Sequence, residues 1–194
     1  MDGRELARSQ GEVLFTDYGL SGPAVMFASR PVADWERQKK GAFTAHLDLL
    51  PDWDMDTLCR RIRQRSQLKG RTLEDLLTGL LHKRVGQTVL RVAEVLPLTR
   101  EVSSLTEAEC LRVAKTIKNW VLPVTGTQGF GGAQVTAGGI AAGEINPSTF
   151  AVKRHFGLFA AGEVLDVDGD CGGFNLQFAW SSAYVAAKAI ANNR

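Results

Sequence analysis

The stretch that decides the fold is residues 157–187, GLFAAGEVLDVDGDCGGFNLQFAWSSAYVAA. Its apolar start, Leu158-Phe159-Ala160-Ala161, predicts a buried strand that ends at Gly162. An acidic loop follows, and from Phe174 onward alanines and large apolar residues recur as in a helix that lies close to a sheet. A strand, a loop and a helix in this order predict an α/β protein, α+β in detail.

The loop between this strand and this helix has the chemistry of a ligand site. Ligands of open α/β sheets bind beyond the carboxyl ends of strands. The start of the helix offers unpaired N–H groups and a partial positive charge, which suit the N1–C2=O edge of a flavin, where negative charge accumulates on reduction. The alternative is that Gly162 only ends a strand and Gly172-Gly173 only permits a turn. The residues by themselves leave both interpretations open.

The acidic loop does not predict a metal site. Asp166, Asp168 and Asp170 mimic the start of a calcium-binding loop. However, Cys171 stands where that loop needs glycine, and Gln177 stands where it needs a bidentate acid. We therefore expect no bound metal.

The composition is that of an ordinary globular protein, with 44% hydrophobic residues in 194. A net charge of +2 is too small to indicate nucleic acid as a partner, and no apolar run reaches the roughly 20 residues of a membrane helix. We therefore expect a small-molecule substrate, no nucleic-acid or membrane partner and a cytoplasmic location. The cysteines have no close pair that would predict a disulfide or zinc site: Cys59, Cys110 and Cys171.

The part of the chain before residue 120 predicts short strands and then helices. Val13-Leu14-Phe15-Thr16 and residues 42–49 have strand character, and Gly22-Pro23 opens a helix that Pro31 should end. Residues 54–120 have helical periodicity, and Thr106 followed by Glu109 has capping-box spacing.

Basic residues gather between Arg60 and Arg71, with acidic residues on both sides. Such a pattern is typical of a solvated helix face. The alternative is a surface that binds an anionic partner, which salt would weaken. No catalytic constellation lies in this helical segment.

Three segments resemble one family. They are LFTDYGLSGPAVM from Leu14, VTGTQGFGGAQVTAGGIAAGEINPSTF from Val124, and the stretch 157–187. In this order they resemble the aminoacetone-oxidase-like (BaiN/YhiN) group of FAD-binding flavoproteins. The resemblance implies an FAD-binding domain interrupted by an inserted domain. Residues 1–120 would be a partial inserted domain of short strands and helices, and residues 121–194 the C-terminal segment of the FAD-binding domain.

The resemblance also implies which residues contact the flavin. Glu163 is expected on a ribitol hydroxyl, because a carboxylate would repel the pyrophosphate, and the segment from Thr136 is expected close to the isoalloxazine ring. No catalytic acid or base is identified, and Tyr18 and Asn146 are candidates only for lining the pocket. The implied cofactor-binding residues are Gly162, Glu163, Gly173, Phe174, Asn175, Leu176, Thr136, Gly138 and Gly139.

The sequence departs from the family pattern in one respect. Such enzymes begin with a strand–GxGxxG–helix unit that grips the ADP half of FAD, whereas Gly129-Phe130-Gly131-Gly132 has the wrong spacing and no apolar helix after it. The expectation is therefore the C-terminal portion of an FAD-dependent oxidoreductase, with NAD(P)H as one candidate reductant. The alternative is a non-catalytic module or remnant that no longer binds flavin. Self-association through exposed half-domain surfaces is also expected.

Overall fold

The structure is a computed structural model that describes residues 4–38 and 42–192. The chain divides into two compact units. A discontinuous unit combines Met1–Gly41 with Gly126–Arg194, and a continuous unit is formed by Ala42–Thr125.

The discontinuous unit begins with a hairpin of β1 (Leu14–Thr16) and β2 (Gly19–Ser21), in which Leu14 pairs with Ser21. The turn into the next helix requires glycine, because Gly22 has a φ of 100° and a Cβ there would lie 2.6 Å from the Glu12 carbonyl oxygen.

Helix α1 (Pro23–Arg37) follows and runs through Pro31. The prediction that this proline ends the helix is therefore wrong. A proline inside a helix costs about 3 kcal/mol, because it removes a hydrogen bond and crowds the preceding turn. Val32 and Trp35, both half-buried, continue the apolar side of the helix beyond the proline. Their partial burial favours the helix beyond the proline.

The predicted strand at residues 158–161 does not form. Phe159 makes an isolated antiparallel bridge with Ala151, and the Ala160 N–H donates to the Phe150 carbonyl at 3.1 Å. Phe150 has a φ of 55°, a left-handed conformation that turns the partner segment away. The pairing therefore cannot extend into a ladder.

Helix α5 (Phe174–Asn192) closes the discontinuous unit and confirms the helix predicted from Phe174. Its buried side carries Ser182 and Ala186, whose small size permits close packing. Another side carries an exposed apolar stripe at helical spacing: Leu176, Trp180 and Tyr184 are 63%, 68% and 68% exposed.

The continuous unit begins and ends with paired strands. β3 (Phe43–Leu47), predicted from residues 42–49, pairs antiparallel with β4 (Trp120–Val124), from Phe43 opposite Val124 to Leu47 opposite Trp120.

Three helices lie between these strands: α2 (Met55–Ser66), α3 (Lys83–Val92) and α4 (Glu107–Lys118). Helix α4 opens with the predicted capping box, in which the Thr106 N–H donates to Glu109 Oε2 at 2.8 Å and the Glu109 N–H donates to Thr106 Oγ1 at 3.3 Å. The helices bury one core, whose fully enclosed members include Leu58, Ile62, Leu73, Val89, Leu90, Val95, Val113 and Ile117.

The expected mixed class is confirmed, since helices and strands both form; within the described residues the strands pair antiparallel in two two-stranded sheets. The predicted domain boundary between residues 120 and 121 rests on the family resemblance and stays a prediction. The compact units divide at other points, because β4 is bound to β3. No described helix has the length and apolar character needed to cross a membrane.

Candidate cofactor site

The start of helix α5 leaves backbone N–H groups without an acceptor inside the helix. The first hydrogen bond of the helix runs from the Gln177 N–H to the Gly173 carbonyl at 2.9 Å. The N–H groups of residues 174–176 therefore have no acceptor within the helix. Gly173 has a φ of 94°, and a Cβ there would meet nothing within 4 Å. The first turn holds no acidic residue. The partial positive charge of this terminus is therefore not compensated from within the helix.

The acidic loop before the helix is fixed by a side-chain clamp. Asn175 accepts a hydrogen bond from the Gly169 N–H at 2.7 Å and donates one to the Gly169 carbonyl at 3.0 Å. Arg30 of α1 forms an ion pair with Asp168 in the same loop. The loop therefore has a defined position beside the start of α5.

The turn at Gly162 is anchored on the buried side of α5. The Gly162 N–H donates to the buried Ser182 Oγ at 2.9 Å, and the Ser182 hydroxyl donates to the Ala179 carbonyl at 3.1 Å. Gly162 has a φ of 75°, which a residue with a Cβ rarely adopts. The next residue, Glu163, is exposed.

The segment from Thr136 lies along that turn. The Thr136 N–H donates to Glu163 Oε1 at 2.7 Å, and the Ile140 N–H donates to the Val164 carbonyl at 2.9 Å. Gly139 is required there, because a Cβ would lie 2.4 Å from the Val164 carbonyl oxygen. At Gly138, with a φ of 94°, a Cβ would meet nothing within 4 Å.

The structure thus brings the predicted segments together in one unit: Thr136 contacts Glu163, Gly139 lies against Val164, and Gly162 is bonded to α5. Phe174 and Leu176 project into solvent rather than into a core. Whether these residues contact a flavin stays a prediction.

Sequence reasoning missed two residues of this arrangement. Ser182 had a weak signal, since it is a polar residue among the small residues of an apolar helix. Arg30 had none, because it lies 138 residues from Asp168 in the chain.

The two residues predicted to line the pocket have different surroundings. Tyr18 is exposed in the turn between β1 and β2. Asn146 builds its own turn, since its Oδ1 accepts the Ser148 N–H at 2.9 Å and its backbone N–H donates to the Ala151 carbonyl at 2.9 Å. We assign no catalytic role to either residue.

Two surface clefts are lined by residues of the continuous unit, and none of their lining residues is a predicted cofactor-binding residue. Across the described residues, no three His, Cys, Asp or Glu side chains are grouped to hold a metal. One cleft, of about 460 Å³, is lined by Met55, Lys115, Thr116, Lys118 and Asn119. The other, of about 180 Å³, is lined by Arg65, Leu68, Arg71, Asp75, Leu76, Thr78 and Val102.

Comparison with known proteins adds a family match and three relatives. Residues 2–135 match the family model described as HI0933-like protein barrel and H2TH domain. The 3-dehydro-bile acid delta(4,6)-reductase of Clostridium scindens is 33% identical over 187 residues, which is 96% of this chain and 45% of that protein.

The other two relatives are both named ribosomal RNA dihydrouridine synthase. The Escherichia coli protein is 33% identical over 176 residues, covering 91% of this chain and 41% of its own length. The Haemophilus influenzae protein is 31% identical over 179 residues, covering 92% and 42%. The chain therefore spans less than half the length of these relatives.

Proposed function

The chain belongs to the HI0933-like family, and from this premise we propose that it forms part of the FAD site of a flavin-dependent oxidoreductase. Membership confirms the resemblance to the BaiN/YhiN group of flavoproteins. We propose the cofactor, the reaction and the substrate of this chain from the observations that follow.

The observation that carries the proposal is that two of the predicted segments are hydrogen-bonded to each other and to helix α5, whose first turn is the third segment. The Gly162-Glu163 turn is bonded to α5 through Ser182 and to the Thr136 segment through Glu163. The N–H groups of the first turn have no acceptor within the helix, and the space beside Gly173 is open, since a Cβ there would meet nothing within 4 Å. An electron-rich ring edge fits such a terminus, so the residues present fit a flavin.

Each group has a defined part in holding the cofactor. The N–H groups of the first turn, from Phe174 to Leu176, would hold the N1–C2=O edge of the ring and would stabilise negative charge there. Glu163 uses one oxygen to position Thr136, and its second oxygen would accept a hydrogen bond from a ribitol hydroxyl. FAD itself supplies the two-electron transfer chemistry when bound.

The proposed reaction is the reduction of a carbon–carbon double bond conjugated to a carbonyl. The support is the chemistry shared by the relatives' names, since a 3-dehydro delta(4,6) steroid and a uridine ring both hold such a bond. A double bond of this kind accepts hydride because the carbonyl stabilises the negative charge that results. NAD(P)H is the proposed source of the electrons, and the cytoplasmic location stays a prediction.

The rival function is a non-catalytic module that keeps the fold without the cofactor. Visible absorbance spectra of the purified chain, recorded before and after addition of FAD and desalting, separate the two. A flavin spectrum that survives desalting supports the proposed site. A colourless chain that does not retain FAD favours the rival.

A matched pair of variants tests where the flavin binds. Leu176→Asp adds a negative charge in the first turn of α5, where it stabilises the helix but repels the electron-rich ring edge. Ala187→Asp adds the same charge to an exposed position three turns later. Loss of FAD in the first variant alone places the flavin at this terminus, whereas equal retention in both contradicts that placement.

A further inference from the structure

Two of the three cysteines lie in the continuous unit, on two helices that share one core. Cys59 belongs to α2 and Cys110 to α4, and both are free thiols. Cys110 is 3% exposed and is a member of the core, whereas Cys59 is partly buried and packs against it. The third thiol, Cys171, is exposed and belongs to the discontinuous unit.

Helices α2 and α4 run antiparallel, as contacts at their two ends show. Arg63, near the end of α2, forms an ion pair with Glu107, the first residue of α4. Met55, the first residue of α2, lines the larger cleft together with Lys118, the last residue of α4. Each helix therefore begins beside the end of the other, and this determines which of their turns are neighbours.

The two cysteines lie at nearly the same level between these contacts. Cys59 is one helical turn before Arg63 and one turn after Met55, so the three side chains share a side of α2. Cys110 is one helical turn after Glu107 on α4. One turn back along α2 from the ion pair and one turn forward along α4 therefore lead to the two cysteines.

The electrostatics of Cys110 agree with this placement. Burial raises the pKa of the Cys110 thiol, the charge of Arg63 lowers it, and the charge of Cys59 raises it further. Charge interactions fall off with distance, so both groups lie close to the Cys110 sulfur. The two thiols are therefore neighbours at the contact between α2 and α4.

The two thiols differ in how readily an oxidant reaches them. Cys59 is partly exposed, so a small oxidant meets it first. Cys110 is enclosed in the core, and its raised pKa leaves little of the reactive thiolate. An oxidised Cys59 would thus have a reduced thiol beside it, which is the arrangement that converts a sulfenic acid into a disulfide.

We propose that Cys59 and Cys110 form a reversible disulfide when the chain meets hydrogen peroxide. The Cys59 thiolate attacks one peroxide oxygen, so that an S–O bond forms, the O–O bond breaks and the departing hydroxide takes up the proton that Cys59 released. The Cys110 sulfur then attacks the sulfur of this sulfenic acid. An S–S bond forms, the S–O bond breaks, and the departing hydroxide takes up the Cys110 proton. The thiol pair loses two electrons in all, and the peroxide is reduced to two molecules of water.

The disulfide links two helices that already pack together and closes the chain between them into a loop. That loop, residues 60–109, contains α3 and all the residues that line the smaller cleft. A cross-link of this kind stabilises a fold by restricting the unfolded chain, and long loops gain the most. Oxidation should therefore raise the melting temperature. The proposal goes beyond the proposed function and does not depend on a bound flavin.

Mass spectrometry of the full chain tests the proposal, with Cys171→Ser to remove the exposed third thiol. The protein is treated with hydrogen peroxide, its remaining thiols are alkylated in denaturant, and it is digested without reductant. We expect most of Cys59 and Cys110 in one cross-linked pair of peptides, lighter by two hydrogen atoms than the reduced pair. The intact chain should run as a single copy on a non-reducing gel, and dithiothreitol should restore both thiols.

Melting curves from circular dichroism separate the disulfide from oxidation of one thiol alone. Peroxide should raise the melting temperature of the Cys171→Ser chain by at least about 3 °C, and dithiothreitol should reverse the rise. The matched control adds Cys59→Ser and should show no rise. The proposal is overturned by Cys59 recovered as a sulfinic acid beside an unmodified Cys110, by covalent dimers in place of the internal cross-link, or by an equal rise in the control. The peptide analysis needs no substitution in the core, so a variant that fails to fold cannot decide the result.

Discussion

The backbone N–H of Thr136 donates a 2.7 Å hydrogen bond to Oε1 of Glu163, a carboxylate 27 residues further along the chain. This exposed side chain fixes the start of the segment that the Ile140 N–H fixes further on, by its 2.9 Å bond to the Val164 carbonyl. The position of the Thr136 backbone beside the Gly162-Glu163 turn therefore depends in part on one carboxylate.

Glu163→Ala removes that acceptor, and we expect the Thr136 amide to exchange its proton faster. Glu163→Gln keeps an acceptor oxygen and should exchange nearly as slowly as the unaltered chain. Because the bond is exposed, global stability should fall by less than about 1 kcal/mol. Hydrogen exchange measured by mass spectrometry checks this, and identical exchange in all three proteins would contradict the role given to Glu163.

Ser182→Ala should destabilise the discontinuous unit by about 1–3 kcal/mol, because the Gly162 N–H would be left buried without an acceptor. Ser181→Ala is the matched control, since Ser181 is exposed and accepts only the Gln177 side chain. Urea unfolding followed by tryptophan fluorescence measures both. A loss of the same size in the two variants would show that the buried hydroxyl has no special role.

Ile117→Ala should destabilise the continuous unit by about 2–5 kcal/mol, since this side chain is 0% exposed and its loss leaves a cavity. Leu111→Ala on the same helix, at a position that is 42% exposed, should cost much less. Thermal unfolding measured by circular dichroism compares the two variants. Similar melting temperatures would contradict the position assigned to the core.

Glu109 gives the continuous unit a dependence on pH. Burial raises the pKa of this carboxyl, but hydrogen bonds from the Thr106 backbone and from Arg100 lower it more, so that the net pKa lies below the ordinary value of 4.5. A carboxyl whose pKa is lowered on folding contributes stability above its unfolded pKa. That stability is lost as the pH falls through the lowered, folded value.

Glu109→Gln should therefore destabilise the protein by roughly 1.5–3 kcal/mol at neutral pH and by progressively less below about pH 4. Glu107→Gln, which affects an exposed ion pair with Arg63 on the same helix, should have a small effect throughout. Urea midpoints recorded across this pH range measure both variants. A difference between Glu109→Gln and the unaltered chain that did not shrink in acid would refute the assignment.

The features that the sequence predicted correctly rest on local signals. The Thr106 and Glu109 pair needs only residues three apart, and helix α5 follows from the periodicity of its own side chains. The three segments of the candidate cofactor site were implied by the family resemblance, and their contact with a flavin stays a prediction; the structure joins Thr136 to Glu163 and Gly162 to Ser182 of α5.

The features that the sequence did not predict depend on residues that lie far apart along the chain. Residues 158–161 have the composition of a strand, but a left-handed residue at Phe150 prevents the neighbouring segment from pairing further. Helix α1 continues past Pro31, and the half-buried Val32 and Trp35 extend its apolar side there. Arg30 and Asp168 lie 138 residues apart, and no local pattern joins them.

The pairing of β3 with β4 has a consequence for how this protein could have arisen. Leu47 stands opposite Trp120 and Phe43 opposite Val124, so the chain enters and leaves the continuous unit on neighbouring strands, about 5 Å apart. A module with adjacent ends can be acquired, lost or exchanged between genes in a single event, because a short linker restores the interrupted chain. The continuous unit therefore has the adjacent chain ends that insertion into a host fold requires.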